Sequence, residues 1–507
     1  MNVTTDRKYL FAYCLILFLL FLWNVPLLDP DEPVYGETAK EMIATGDFLS
    51  PRIYGDFWYD KPPLFYWLEA ASFSVLGVSA FSARLPSALI AAGTVLYVWR
   101  QTEALFSRRI GFLAALILAT SLEFVVIARS AVTDMTLTAA LTVALFSFLR
   151  EQYAAAYIAC GLALLAKGPI GFGFPALIVG LWLLAQREFT LRRVMGLKWT
   201  WGIPLACLVG LPWYAYMTAV HGQPFIDTFL GYHNLVRFTE PEHAGKDHWW
   251  LYLVVLTAGC FPWTGAVCGM LARLRRFAKD PRTLYFLVWA AFIFVFFSAS
   301  STQLFSYILP MYPALAVLAA LYLDELFTGG GSRLFPQLHI FFIALTAAAV
   351  YFAPLVPSGG DAARYGTVLA MLFLGLAGAR AFQWRRPGVF LAVQAALALA
   401  LTMAAWTFYA APVRDHFTSP DISMKVLLTD REPGVPLYID PFYRPAAAFY
   451  HDLYGLPMPD LAQPAAGIPG DAYLLVQKKV QDDWPEEERR QWTLLWETPT
   501  AFFFRKS

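Results

Sequence analysis

Charge is what this chain has least of: only 15% of its 507 residues are Asp, Glu, Lys or Arg. With 58% of residues hydrophobic and a mean hydropathy of +0.51, it holds more apolar side chain than one soluble domain could bury, so lipid must be part of its solvent. Cysteine is scarce as well. All five, Cys14, Cys160, Cys207, Cys260 and Cys268, fall inside apolar runs without CxxC spacing. That excludes a disulfide-stapled external domain and a cysteine metal cluster, and leaves them as small hydrophobes. A Walker phosphate loop, a dinucleotide glycine fingerprint and a Ser-His-Asp array are also missing, which argues against an ATP-driven pump, a redox enzyme and a hydrolase.

What the chain does have is apolar length. Runs that could cross a bilayer core as helices occur thirteen times, near 9–28, 85–100, 110–128, 135–149, 153–166, 169–186, 200–219, 249–271, 283–300, 305–323, 335–356, 366–382 and 388–412. Several are short or interrupted by proline. The net charge of +1 hides an alternation between the connecting loops. Arg7 and Lys8 precede the first run, Arg100, Arg108 and Arg109 follow the second, Arg187, Arg192, Arg193 and Lys198 the sixth, Arg273, Arg275, Arg276, Lys279 and Arg282 the eighth, and Arg385 and Arg386 the twelfth. Basic loops stay cytoplasmic. The 29–84 loop, the 220–248 loop and the C-terminal tail are therefore expected outside, with the N-terminus inside. The first run has the form of a secretory signal, but no small-residue cleavage site follows it.

From about residue 415 the composition turns polar, with Pro and Gly turns. VPLYID (435–440), AYLLVQ (472–477) and AFFFRK (501–506) have the pattern of strands, while 444–455 and 484–496 have that of helices. The expected fold class is an all-α polytopic membrane protein of about thirteen spans over 1–412, followed by a small soluble, extracytoplasmic α/β domain over 413–507 with a structural or acceptor-contacting role.

The 29–84 loop is too long for a plain connector. PVYGETAKEMIATG has helical apolar spacing at Val34, Ala39, Met42 and Ile43, and PPLFYWLEAASFSVLG opens with prolines suited to a helix start. Both read as interfacial helices, the floor of a cavity at the level of lipid headgroups.

Asp31 and Glu32 directly after the first run, then GDFLSPRIYGDFWYDKPPLFYW (46–67) and ARLPSAL (83–89), resemble the GT-C superfamily of lipid-linked glycosyltransferases. The similarity is greatest to the bacterial branch containing the aminoarabinose transferase of lipid A and relatives of protein O-mannosyltransferases. It covers the first 320 residues, including VTDMTLT (132–138), PWYAY (212–216), FPWTG (261–265) and SYILPMYPALA (306–316); beyond them only the layout matches. The resemblance implies a GT-C fold and a sugar moved, with inversion, from a polyprenyl (undecaprenyl) phosphate carrier to an extracytoplasmic acceptor such as lipid A, at the periplasmic face of a bacterial inner membrane. A protein or polysaccharide acceptor is the alternative, and a lipid-sugar flippase a more distant one. Nucleic acid is not an expected partner.

By position, the resemblance makes Asp31 the candidate catalytic carboxylate, able to take a proton from an acceptor hydroxyl or to steady the developing sugar cation. An interfacial acid facing water is its plain alternative. Glu32 supports the helix start. Lys61 in YDKPP matches the lysine that binds the carrier phosphate, with Tyr59 beside it in support. Tyr307 matches a tyrosine near that phosphate, and Arg84 is either a further phosphate contact or a membrane anchor. Asp134 is the second carboxylate, unless it merely caps its helix together with Thr133. Lys167 could neutralise it or the substrate, and Arg237 could order the loop over the cavity. The chain departs from the family pattern in having Gln303 where a basic residue is common and Trp58 where a tyrosine is. Some relatives hold zinc between an acid beside the lysine and a histidine, which here would be Asp60 and His243. Regular ligand spacing is lacking, so no cofactor is certain and a divalent metal stays open.

Overall fold

Residues 3–229, 231, 250–329, 334–468 and 470–506 are described by the computed structural model. Helix α1 (Val3–Leu19) leads into the long first loop, which folds as α2 (Asp31–Thr45), an antiparallel hairpin of β1 (Arg52–Ile53) and β2 (Asp56–Phe57), and α3 (Leu64–Leu76). The apolar helices α4 (Ala80–Leu105), α5 (Arg108–Thr120), α6 (Leu122–Ala128), α7 (Asp134–Leu149) and α8 (Tyr153–Lys167) follow. Later ones include Trp199–His221, Pro281–Ser298, Leu334–Phe352, Gly360–Gln383 and Pro387–Phe408. Among the described residues, seven helices are long and apolar enough to cross a membrane, or up to nine if each of two bent pairs counts as one span.

Those two pairs differ from the uninterrupted spans expected at 110–128 and 249–271. α5 and α6 meet at 65°, and Leu251–Gly259 and Thr264–Leu271 at 119°. A broken backbone within a membrane must find its partners inside the protein, and the two breaks serve each other. The Leu122 N–H donates to the Phe261 carbonyl at 3.0 Å, and Trp263 Nε1 donates to Thr120 Oγ1 at 2.8 Å. Pro262, which has no N–H to give a helix, falls at the second break. Hydropathy sees neither bend, because both arms are apolar.

Aromatic residues run through the largest, mainly aliphatic core cluster, and several of their polar tips are used. Buried Tyr285 donates to the Leu145 carbonyl at 2.8 Å and buried Trp289 to the Pro310 carbonyl at 2.9 Å, as such rings require once removed from water.

Toward the C-terminus the chain forms β3 (Leu437–Ile439), β4 (Leu456–Pro457), β5 (Ala472–Gln477), β6 (Trp492–Glu497) and β7 (Ala501–Lys506). They make one sheet in the order β4-β3-β5-β7-β6, with β3 parallel to β4 and β5, and β7 antiparallel to β5 and β6. The helix expected over 484–496 is corrected here: only Glu486–Arg489 is helical, and WTLLWE is the edge strand β6. The three glutamates favour a first helical turn, but Trp496 stacks on Phe503 of β7 at 4.9 Å. Such cross-strand aromatic pairing outweighs local helix preference.

Candidate active site

α2 starts with two acids, where the helix dipole favours negative charge. Their fates differ. Glu32 is buried and accepts from the Leu28 and Ala131 N–H groups, both at 2.7 Å, and from the Arg84 guanidinium. These bonds fix the rotation of α2. With about 100° per residue, holding Glu32 inward turns Asp31 to another side, and both border a cavity of about 390 Å³.

The second wall comes from the antiparallel pair α7 and α8. Asp134 is the first residue of α7 and Lys167 the last of α8, so each charge has the sign its helix end favours. Lys167 Nζ donates to Asp134 Oδ1 at 2.6 Å, with both side chains about nine-tenths buried. Asp134 is not a side-chain cap: Thr133 occupies that position and donates to the Ala166 carbonyl of α8 at 2.8 Å. Lys167 also lies 4.4 Å from the ring centre of Tyr307, which belongs to the tight 3-10 turn Phe305–Met311. Lys61 stands between the β1–β2 hairpin and the prolines that open α3, and donates to Asp60 Oδ1 at 2.7 Å.

Asp31, Asp60, Lys61, Asp134, Lys167 and Tyr307 thus come from five stretches of chain and line one cavity. With Asp29 and Glu32, which also border it, five carboxylates there face two ammonium groups. Such a set can hold a phosphodiester on the cations through charge-assisted hydrogen bonds and present a carboxylate to a hydroxyl.

Arg84 does not join them. Nε and Nη2 donate to Glu32, Nη1 to the Leu22 and Val25 carbonyls, and Nη2 also to the Pro26 carbonyl. All five guanidinium N–H groups are engaged inside the protein, so the phosphate-contact expectation is corrected to a buried staple between the α1–α2 connection and α4. Breaking a buried pair by removing one partner costs about 3–5 kcal/mol. Arg84→Met is accordingly expected to lower the thermal midpoint sharply in detergent. Unchanged stability with weakened carrier binding would restore the phosphate role.

Tyr59 turns away too, packing on His221 and Phe225 at ring distances of 5.4 and 5.7 Å, while Trp58 lines the cavity. Gln303 lies within reach of the Ser298 and Ser300 carbonyls at 3.4 Å. Arg237 and His243 lie outside the described residues, and among those described no three His, Cys, Asp or Glu side chains gather as a metal would need. Sequence reading missed Tyr35, which lines the cavity one helical turn after Asp31; the i, i+4 spacing could have found it. Burial first, then the charges of Asp60, Asp134 and Asp31, push its phenol well above the ordinary range, so it remains an O–H donor.

Residues 8–223 match the family model of dolichyl-phosphate-mannose-protein mannosyltransferases. An Aquifex aeolicus protein of unassigned function is 32% identical over 322 residues, covering 63% of this chain and 74% of its own. The undecaprenyl phosphate-alpha-4-amino-4-deoxy-L-arabinose arabinosyl transferase of Aeromonas salmonicida is 30% identical over 336 residues, 64% of this chain. The chain belongs to the GT-C superfamily of lipid-linked glycosyltransferases. Its match spans 61% of the Aeromonas transferase's length. The GT-C fold itself extends further: the crystal structure of ArnT from Cupriavidus metallidurans bound to undecaprenyl phosphate aligns over 99% of this chain and 98% of its own, with a TM-score of 0.75 at 20% identity.

Proposed function

We propose that this GT-C protein moves a sugar from an undecaprenyl-type phosphate carrier to an acceptor at the periplasmic face of a bacterial inner membrane, with inversion and with lipid A as the first acceptor to test. The observation that carries the reading is the single cavity in which Lys61, Lys167 and Tyr307 meet Asp31 and Asp134. The ammonium groups hold the carrier phosphate and stabilise its charge as the anomeric C–O bond breaks toward it. The acceptor oxygen attacks the opposite face of that carbon, and its proton passes to Asp31. The name of the Aeromonas relative supports an undecaprenyl phosphate sugar as the donor class.

The reading includes thirteen crossings over 1–412 and an external α/β domain over 413–507. Reporter tags in the 187–198 and 272–282 loops are expected to be cytoplasmic, and a tag after residue 507 external. A cytoplasmic C-terminus would overturn the orientation. The activity itself is tested by incubating purified protein in nanodiscs with undecaprenyl-phosphate sugars and lipid A, alongside mass spectrometry of lipid A and surface glycans from cells with and without the gene. Sugar appearing only on protein or polysaccharide would move the acceptor. Carrier movement across the membrane without transfer would favour a flippase.

A further inference from the structure

The stretch of chain bearing Asp31 is gripped on both sides by the C-terminal region. Ahead of Asp31, the Asp29 N–H donates to the Phe417 carbonyl at 2.9 Å and the Leu27 N–H to the Tyr450 hydroxyl at 2.7 Å. Phe417 is itself part of the cavity wall. Beyond Asp31, Lys40 of α2 points its ammonium at the end of the helix Arg444–His451. It donates to the Ala448 carbonyl at 2.9 Å, the Phe449 carbonyl at 3.1 Å and Asp452 Oδ1 at 2.7 Å, while keeping Glu37 Oε2 at 3.2 Å. The Ala448 carbonyl also accepts from the Asp452 N–H at 3.0 Å, so Lys40 adds a second donor there, and a cation at a helix C-terminus is favoured by the dipole. Lys40 therefore closes a helix that lies more than 400 positions away in the chain.

The two helices are fitted closely around that contact. A Cβ on Gly36 would come within 2.8 Å of the Phe449 ring, so only glycine allows this approach. Glu37, fully buried, accepts from the Tyr454 hydroxyl at 3.1 Å on its other oxygen. Burial holds its carboxyl above the ordinary range and the Lys40 ammonium opposes that rise. Asp452 is 70% exposed, and an exposed ion pair is worth little. The backbone carbonyls and Glu37 are the larger part of the grip.

We infer that Lys40 is a positioning residue: through the C-terminal end of the Arg444–His451 helix it clamps α2, and α2 carries that constraint to Asp31. Nine residues separate the two, about 13 Å along a continuous helix, so a small tilt at Lys40 becomes a displacement at the carboxylate. The C-terminal region is on this view part of the active site rather than an appendage. The inference rests on the proposed transfer reaction.

The test uses the full-length protein in nanodiscs. Lys40→Gln is expected to lower kcat about tenfold with donor KM and undecaprenyl phosphate binding within twofold of wild type, and to speed hydrogen exchange of the α2 amides. Lys40→Arg, which can still donate to the same carbonyls, is expected to keep at least half of the turnover. Asp452→Asn is expected to change kcat less than threefold. If Lys40→Gln does not yield folded protein, Gly36→Ala perturbs the same contact sterically and is expected to give the same split between kcat and KM. Normal kcat in Lys40→Gln, a fall in kcat with unchanged α2 exchange, or Lys40→Arg as impaired as Lys40→Gln would each overturn the clamp. Faster α2 exchange in Lys40→Gln, with no transfer by wild type from any undecaprenyl-phosphate sugar, would instead overturn the transfer reading and leave the mechanical contact standing.

Discussion

Asp31→Asn is expected to leave a folded protein that binds undecaprenyl phosphate and transfers sugar about 10²- to 10⁴-fold more slowly, the range in which positioned general bases act. The amide keeps the size of the carboxylate but cannot take a proton at neutral pH. Losing one acid from the first turn of α2 costs only about 0.3–1 kcal/mol of dipole stabilisation, too little to unfold a chain whose α2 is also held by Glu32 and Lys40. Asp134→Asn makes an instructive contrast. That change removes the charge opposite Lys167, whose side chain is only 11% exposed, and so frees an ammonium toward the cavity. It is expected to change donor KM as well as kcat, whereas Asp31→Asn changes kcat alone. Near-normal transfer by purified Asp31→Asn protein would return this residue to an interfacial acid facing water.

How far the site could be read from the chain depended on whether a residue's role is local. Lys61 before two prolines, and Asp134 and Lys167 at facing ends of successive apolar runs, are defined by neighbours a few positions away, and the structure brings these three to one cavity with Asp31 and Tyr307. Arg84 stood in an equally suggestive motif. Its partner is Glu32, 52 positions earlier, and no periodicity connects the two. The bent spans were hidden for a related reason: each break is satisfied by the other, through Leu122 and Phe261. β6 was hidden because its aromatic residues find their neighbours on β7, while the glutamates just before them favour a helical turn. Tyr35 was within reach of sequence reasoning, since four positions on a helix place it beside Asp31. The grip of residues 417–454 on α2 and the segment before it was not, because its backbone, Lys40 and Glu37 contacts join residues far apart in the chain that no local pattern connects.

Lys61→Ala is expected to weaken donor handling more than acceptor handling, because the proposed partner of its ammonium, the carrier phosphate, is negative in both the substrate and the leaving group. The ammonium donates to Asp60 Oδ1 at 2.7 Å, with both side chains 15% exposed, so it is sheltered while lining the cavity. Losing one such donor costs roughly 2–4 kcal/mol of transition-state stabilisation, by comparison with oxyanion donors elsewhere. That corresponds to a rate lower by about 30- to 1000-fold. Lys61→Arg is expected to recover only part of it, since a planar fork cannot replace a compact ammonium without shifting the phosphate. Asp60→Asn acts in the opposite sense on the lysine, removing the charge of its ion-pair partner, and is expected to tighten carrier binding modestly if Asp60 serves only as that partner. Titrating donor and acceptor separately with each purified variant separates these effects. Unchanged donor kinetics in Lys61→Ala, with the acceptor dependence collapsed, would move Lys61 to the acceptor side and leave Lys167, stacked on Tyr307 at 4.4 Å, as the described cation for the phosphate.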